Sequence, residues 1–142
     1  METMANQEVI VQTTIKAPVE RVWKCWTTPA DITKWCQASD DWHAPHAEND
    51  LRAGGKFSTT MAAKDGSASF DFGGTYDRVE DRKLIEYTLG DGRKVSISFE
   101  DRGSETTVTE TFEAEGVHPV DFQRDGWQAI LDNFRKHVEQ LS

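Results

Sequence analysis

The sequence has no basic run. Its 16 lysines and arginines face 25 acidic residues, the formal net charge is −9, and Arg82-Lys83 and Arg135-Lys136 are the densest cationic pairs. A nucleic-acid-binding surface needs a basic stripe, and an anionic membrane would repel this chain, so neither partner is expected. No apolar run approaches the ~20 residues that span a bilayer. The polar segment 1–8 has no apolar signal core. Cysteine is scarce: Cys25 and Cys36 stand alone and are not in CxxC spacing. Buried, reduced thiols are expected rather than a redox pair, which points to the cytoplasm. Linkers, repeats and low-complexity tracts are missing too, so residues 1–142 read as one domain, a monomer or weak homodimer. A chain of this length buries roughly 68–70% of its unfolded surface and needs no disulfide or metal to fold.

What the sequence has in quantity is large aromatic side chains, five Trp and seven Phe. They imply a core, or a pocket, walled by flat rings. Residues 8–16 alternate, with Val9, Val11, Thr13 and Ile15 on one face, as a strand requires. Pro18 suits a first helical turn, and Val19, Val22, Trp23 and Trp26 then fall on one helix face. A second short helix starts at Thr28-Pro29 and presents Ile32 and Trp35. Residues 37–53 are polar and irregular and read as a long loop of the kind that often carries function.

Five strands follow in meander order over 56–63, 70–79, 83–89, 93–100 and 106–113, with Asp65-Gly66 and Asp91-Gly92 as hairpin signals. One face of these strands is apolar. It carries Phe57, Met61, Phe72 and Tyr76 from the first two and Tyr87, Ile97, Phe99 and Phe112 from the others. The opposite face carries Asp71, Asp77, Glu86, Ser96 and Thr109. Pro119 opens a last helix of about 23 residues, about 34 Å long. Its stripe runs Trp127, Ile130, Leu131, Phe134, Val138, Leu141. A sheet that is wet on one face must bury the other, and only this helix is long enough to cover it. The expected architecture is α+β: a curved six-stranded antiparallel sheet, two short helices after strand 1, and the long C-terminal helix packed across the sheet.

Several fragments in this order resemble a known family. They are Ile15-x-Ala17-Pro18, Val22-Trp23-x-x-Trp26-Thr27, Pro29 with Ile32 and Trp35, Asp50-Leu51-Arg52-x-Gly54-Gly55-Lys56-Phe57, Phe72-x-Gly74-x-Tyr76, and Gly126-Trp127. Together they are similar to the START-like superfamily, also called SRPBCC or polyketide cyclase/dehydrase and lipid transport proteins. Within it they resemble the branch named for the activator of the heat-shock protein 90 ATPase. The chain departs from that pattern at Trp35-Cys36, where many members have two tryptophans. It departs again at Glu80-Asp81-Arg82-Lys83, where many have a proline-rich turn. The resemblance implies a helix-grip fold with a pocket between sheet and helix that takes lipids, sterols, polyketides or other apolar molecules. It supplies no shared catalytic motif, and the co-chaperone activity in the branch's name belongs to larger proteins that join this domain to another.

Strand parity puts Glu110 on the face of Val108 and Phe112, toward the pocket, where a carboxylate loses hydration unless it is paired. It is a candidate ligand acceptor or general base; a strand-end position or a bulge is the plain alternative. His46 is the candidate partner for Glu110, from the loop above the pocket. Trp35 and Trp42 flank that loop as candidate entrance residues. The expected ligand-binding set adds His46, Phe57, Met61, Phe72 and Tyr76. It continues with Tyr87, Ile97, Phe99, Glu110, Trp127 and Ile130. His43, His46, Glu48 and Asp50 crowd the same loop, but their spacing is not a zinc pattern, and no metal is expected. Gly54-Gly55 leads into a strand, with no Lys-Ser/Thr pair after it, so it is no phosphate loop and no cofactor is expected. The primary functional reading is binding of a small apolar ligand. A stress-related, chaperone-linked interaction role and an enzyme using Glu110 with a loop histidine are the alternatives.

Overall fold

Val9, Val11 and Ile15 are buried while Ile10 between them is 61% exposed, the signature of a strand with one face on the core. This is β1 (Glu8–Ile15) of a computed structural model that describes residues 7–37 and 40–141. The polar N-terminus over 1–6 lies outside the described residues. Pro18 precedes α1 (Val19–Thr27), whose Val19, Val22, Trp23 and Cys25 turn inward. Pro29 occupies the first turn of α2 (Pro29–Trp35), where a missing N–H leaves no bond unmade. The Trp35 indole N–H donates to the Cys25 carbonyl at 3.0 Å and ties α2 to α1.

Six further strands follow: β2 (Trp42–Asn49), β3 (Lys56–Ala63), β4 (Ser69–Glu80), β5 (Leu84–Leu89), β6 (Lys94–Asp101) and β7 (Thr106–Glu113). They pair antiparallel in the order β1-β7-β6-β5-β4-β3-β2. The sheet therefore has seven strands, not six. The extra one, β2, lies inside the segment 37–53 that reads as a loop. Apart from Trp42 at its start, its inward apolar positions are the small Ala44 and the half-buried Ala47, so it lacks strong apolar alternation. Pro45 sits in a break of its register between His43 and His46. An edge strand tolerates such a proline; a central one does not.

At the other edge, side chains of the last helix cap β1. Gln128 Nε2 donates to the Gln12 carbonyl at 3.2 Å, and the Lys16 amide donates to Glu139 Oε2 at 3.0 Å. Gly66 and Gly92 take the left-handed conformation their Asp-Gly hairpins demand, with φ of 80° and 93°. Within β4, a Cβ on Gly74 would stand 2.2 Å from the Thr88 carbonyl oxygen, so only glycine allows β5 to approach there.

The last helix, α3 (Val120–Gln140), crosses the concave face over 21 residues. Leu131, Phe134 and Val138 are fully buried beneath its C-terminal half. Phe134 meets Trp26 and Trp35 edge-on, each with ring centroids 4.8 Å away, and Trp23 meets Phe99 at 5.1 Å. Leu141, expected to continue the stripe, falls past the end of the helix and is 42% exposed. Both cysteines are free and buried, as expected. Among the described residues, no helix is long and apolar enough to cross a membrane.

Candidate functional site

The stripe of α3 changes character along its length. Its C-terminal half inserts Leu131, Phe134 and Val138 into the sheet, whereas its N-terminal half offers Gln123, Gly126, Trp127 and Ile130. With no side chain on Gly126, that half leaves a space unfilled. The result is a cavity of about 420 Å³ between α3 and the sheet. Met61, Phe72, Tyr87 and Glu110 line it from the sheet, and Gly126, Trp127 and Ile130 from the helix. Trp26, Trp35 and Cys36 close one end. The mouth lies where the lining residues are exposed, at Phe70, Phe122 and His118. Trp127 stacks flat on Phe112, centroids 4.0 Å apart and planes within 7°, which fixes the helix wall. Trp42 and Phe70 meet at 5.9 Å on the opposite rim.

Glu110 is the polar feature of this wall. In β7 it lies opposite Val11 of β1 and Ile97 of β6, so its carboxyl emerges on the apolar face, and it is 5% exposed. Among the described residues no hydrogen bond or ion pair reaches it. Burial alone pushes its pKa up to about 8. Two other weak acids share the neighbourhood. The Cys36 thiol is pushed up to about 12, by burial first and then by Glu110. The Tyr87 hydroxyl is held well above its ordinary range by burial, then by Glu110, Cys36 and Tyr76, with Arg93 opposing. The cavity thus holds a carboxyl with a pKa of about 8, and a thiol too strongly protonated to serve as a nucleophile. A protonated Glu110 can donate one hydrogen bond and accept others, enough to orient a ligand but not a catalytic constellation.

Of the residues expected at a site, Trp35, Trp42, Met61 and Phe72 come together around the cavity, as do Tyr87, Glu110, Trp127 and Ile130. His46 does not. It lies on the solvent side of β2 with Nε2 3.6 Å from Glu48 Oε2, and its side chain is 63% exposed. The expected His46–Glu110 pair is absent because β2 is a strand and not a loop folded over the mouth. His43 is likewise exposed. Ile97 and Phe99 are core, Phe99 being covered by Trp23 and Trp26 of α1. Tyr76 is buried against Phe57, centroids 4.9 Å apart. Phe57 itself meets Tyr87 at 4.7 Å and lines a different, shallower groove. That groove, about 600 Å³, runs over Asn49, Asp50, Lys56, Gly73, Gly74 and Gly90. It is edged by polar groups and backbone, whereas the cavity under α3 is walled by aromatic side chains, so the aromatic cavity is the better site.

Sequence reasoning missed Trp26, Cys36 and Arg93, and it missed the segment that frames the mouth. There Gln123, 7% exposed, accepts from the Glu115 amide at 2.8 Å and donates to the Glu115 and His118 carbonyls at 3.1 and 2.8 Å. Glu115 accepts from the Val117 amide at 3.1 Å. The spacing Phe122, Gly126, Ile130 at i, i+4, i+8 was the available signal for this face. Gly126 has no atom within 4 Å of where a Cβ would stand, so no strand approaches it. Gly126→Ala should therefore raise stability, by about 0.5–1 kcal/mol, as read from urea unfolding. A loss of stability would show that the glycine is needed for close packing.

Residues 16–139 match the family model described as activator of Hsp90 ATPase homolog 1-like protein. The solution structure of the AHSA1-like protein from Aeromonas hydrophila is 43% identical. The match covers 94% of this chain and 93% of that one, with a TM-score of 0.89. Chr148 from Cytophaga hutchinsonii is 56% identical over 94% of this chain and 92% of that one, with a TM-score of 0.81. A protein from Chromobacterium violaceum, 21% identical over 94% and 98% of the two chains, shares the fold with a TM-score of 0.81. No curated protein matches the chain in sequence.

Proposed function

The chain belongs to the activator of Hsp90 ATPase homolog 1-like family, within the START-like superfamily, and on that premise we propose that it binds a small, largely apolar molecule between the sheet and α3. One observation carries this reading: a cavity walled by Trp, Phe, Tyr and Met side chains contains the carboxyl of Glu110, which has no partner among the described residues. Ligand sites have this composition, apolar walls with few polar groups that fix orientation. The volume of about 420 Å³ admits a molecule of a few fused rings or a medium acyl chain. Residues 1–142 act as one domain in this reading, and the two free thiols fit a reducing, cytoplasmic compartment.

An amide NMR titration with fatty acids, sterols, flavonoids and aromatic polyketides tests it. Shifts clustered at Phe72, Tyr87, Glu110 and Trp127 are expected for one class. That ligand should also add about 2.7 kcal/mol of stability at a hundredfold excess over its Kd. Ile130→Trp, which places a large ring in the cavity, should abolish the shifts. A spectrum that stays silent across the panel ends the proposal.

The second reading is a chaperone-linked interaction role, which the family's name suggests. It rests on the exposed Phe70 at 51%, Phe122 at 63% and Val117 at 82%. An unchanged chaperone ATPase rate on addition of this protein would remove it. An enzyme built on Glu110 and His46 has lost its named pair.

A further inference from the structure

Away from the cavity, the three helices bring together three metal-ligating side chains that the ligand-binding reading does not use. Cys25 Sγ from α1, a carboxylate oxygen of Asp31 from α2 and an imidazole nitrogen of His137 from α3 all lie within 4.8 Å of one another. His137 Nε2 is already 3.0 Å from Asp31 Oδ1. We propose that Cys25, Asp31 and His137 form a binding site for one divalent cation of the zinc class, with one ligand from each helix.

Sulfur, imidazole nitrogen and carboxylate oxygen are the donors zinc takes, at about 2.3, 2.0–2.1 and 2.0–2.2 Å respectively. Ligands on one tetrahedral ion stand roughly 3.5 Å apart, so the set closes on a metal with a movement of about 1 Å, within reach of side-chain rotation. The site is also open on one side. Cys25 is 1% exposed, but the Asp31 and His137 side chains are 18% and 12% exposed, which leaves room for water as a fourth ligand. On binding a metal ion the Cys25 thiol gives up its proton to solvent and ligates as the thiolate. Soft sulfur in the set selects zinc over magnesium or calcium, which take oxygen.

Cobalt(II), added to the full-length reduced protein, is the probe. One equivalent should give a thiolate-to-metal charge-transfer band and the strong visible bands of a tetrahedral ion. Cys25→Ser, a nearly isosteric change, should remove the charge-transfer band. His137→Gln should weaken zinc, measured by competition with a chromophoric chelator, by more than the roughly 10–100-fold typical of an outer partner. Cys36→Ser, which alters the cavity thiol, should leave both readouts intact. Absence of the charge-transfer band, or its survival in Cys25→Ser, overturns the site. So does zinc affinity unmoved by His137→Gln, which would assign binding to surface histidines such as His43, His46 or His118. Far-ultraviolet circular dichroism of each variant separates a lost ligand from a lost fold.

Discussion

Glu110→Gln is expected to stabilise the protein by on the order of 4 kcal/mol at pH 8 and by only about 1 kcal/mol at pH 5. The native state holds the Glu110 proton up to a pKa of about 8, because burial disfavours the charge. The unfolded chain releases it near the ordinary glutamate value of about 4.3. Between those two values the native state binds more protons than the unfolded one, so stability falls as pH rises and levels off above pH 8. Glutamine keeps the shape and has no proton to lose, so its unfolding free energy should be flat in this group's contribution. Urea unfolding of both proteins at pH 5, 6.5 and 8 reads the difference. Parallel curves would mean that Glu110 is hydrated or partnered in solution. The same titration bears on the proposed ligand binding, since a neutral carboxyl donates a hydrogen bond and an ionised one would lose hydration against an apolar guest.

Phe134→Ala should cost about 3–5 kcal/mol, the range for removing a fully buried aromatic ring. Phe134 has no exposed surface, and its ring is gripped by Trp26 and Trp35. Its loss leaves a void where α1, α2 and α3 meet the sheet, and the tryptophan emission of the folded protein should change with it. A loss below 1 kcal/mol would show that the helices collapse to refill the space. Phe134 is the informative comparison for the cavity, because it marks where packing is complete and the open end is not.

Much of the fold was legible because its signals were periodic. Val9, Val11 and Ile15 announce a half-buried strand, the Asp-Gly pairs announce hairpins, and Phe134 and Val138 announce a helix with one apolar face. β2 was not legible, because Ala44 and Ala47 bury little and Pro45 with two histidines resembles a loop. The site divides the same way. Glu110 followed from parity alone, since a one-residue shift would move it to solvent. Ile97 and Phe99 share its face of the sheet, but parity does not tell which stretch the helices cover. α1 covers Phe99, and the difference between cavity and core was set there, by tertiary packing. The Cys25, Asp31 and His137 cluster was illegible because His137 lies 106 positions from Asp31 and meets it only through the packing of α3 on α2.

The two rims of the sheet bear on crowding in the cell. A naked rim offers a row of backbone groups on which another chain can grow as an added strand. Here Pro45 and the broken register spoil one rim as a template, while Gln128 and Glu139 occupy backbone groups on the other. Both rims thus carry features that oppose growth by an added strand, on a molecule whose interior is incompletely filled.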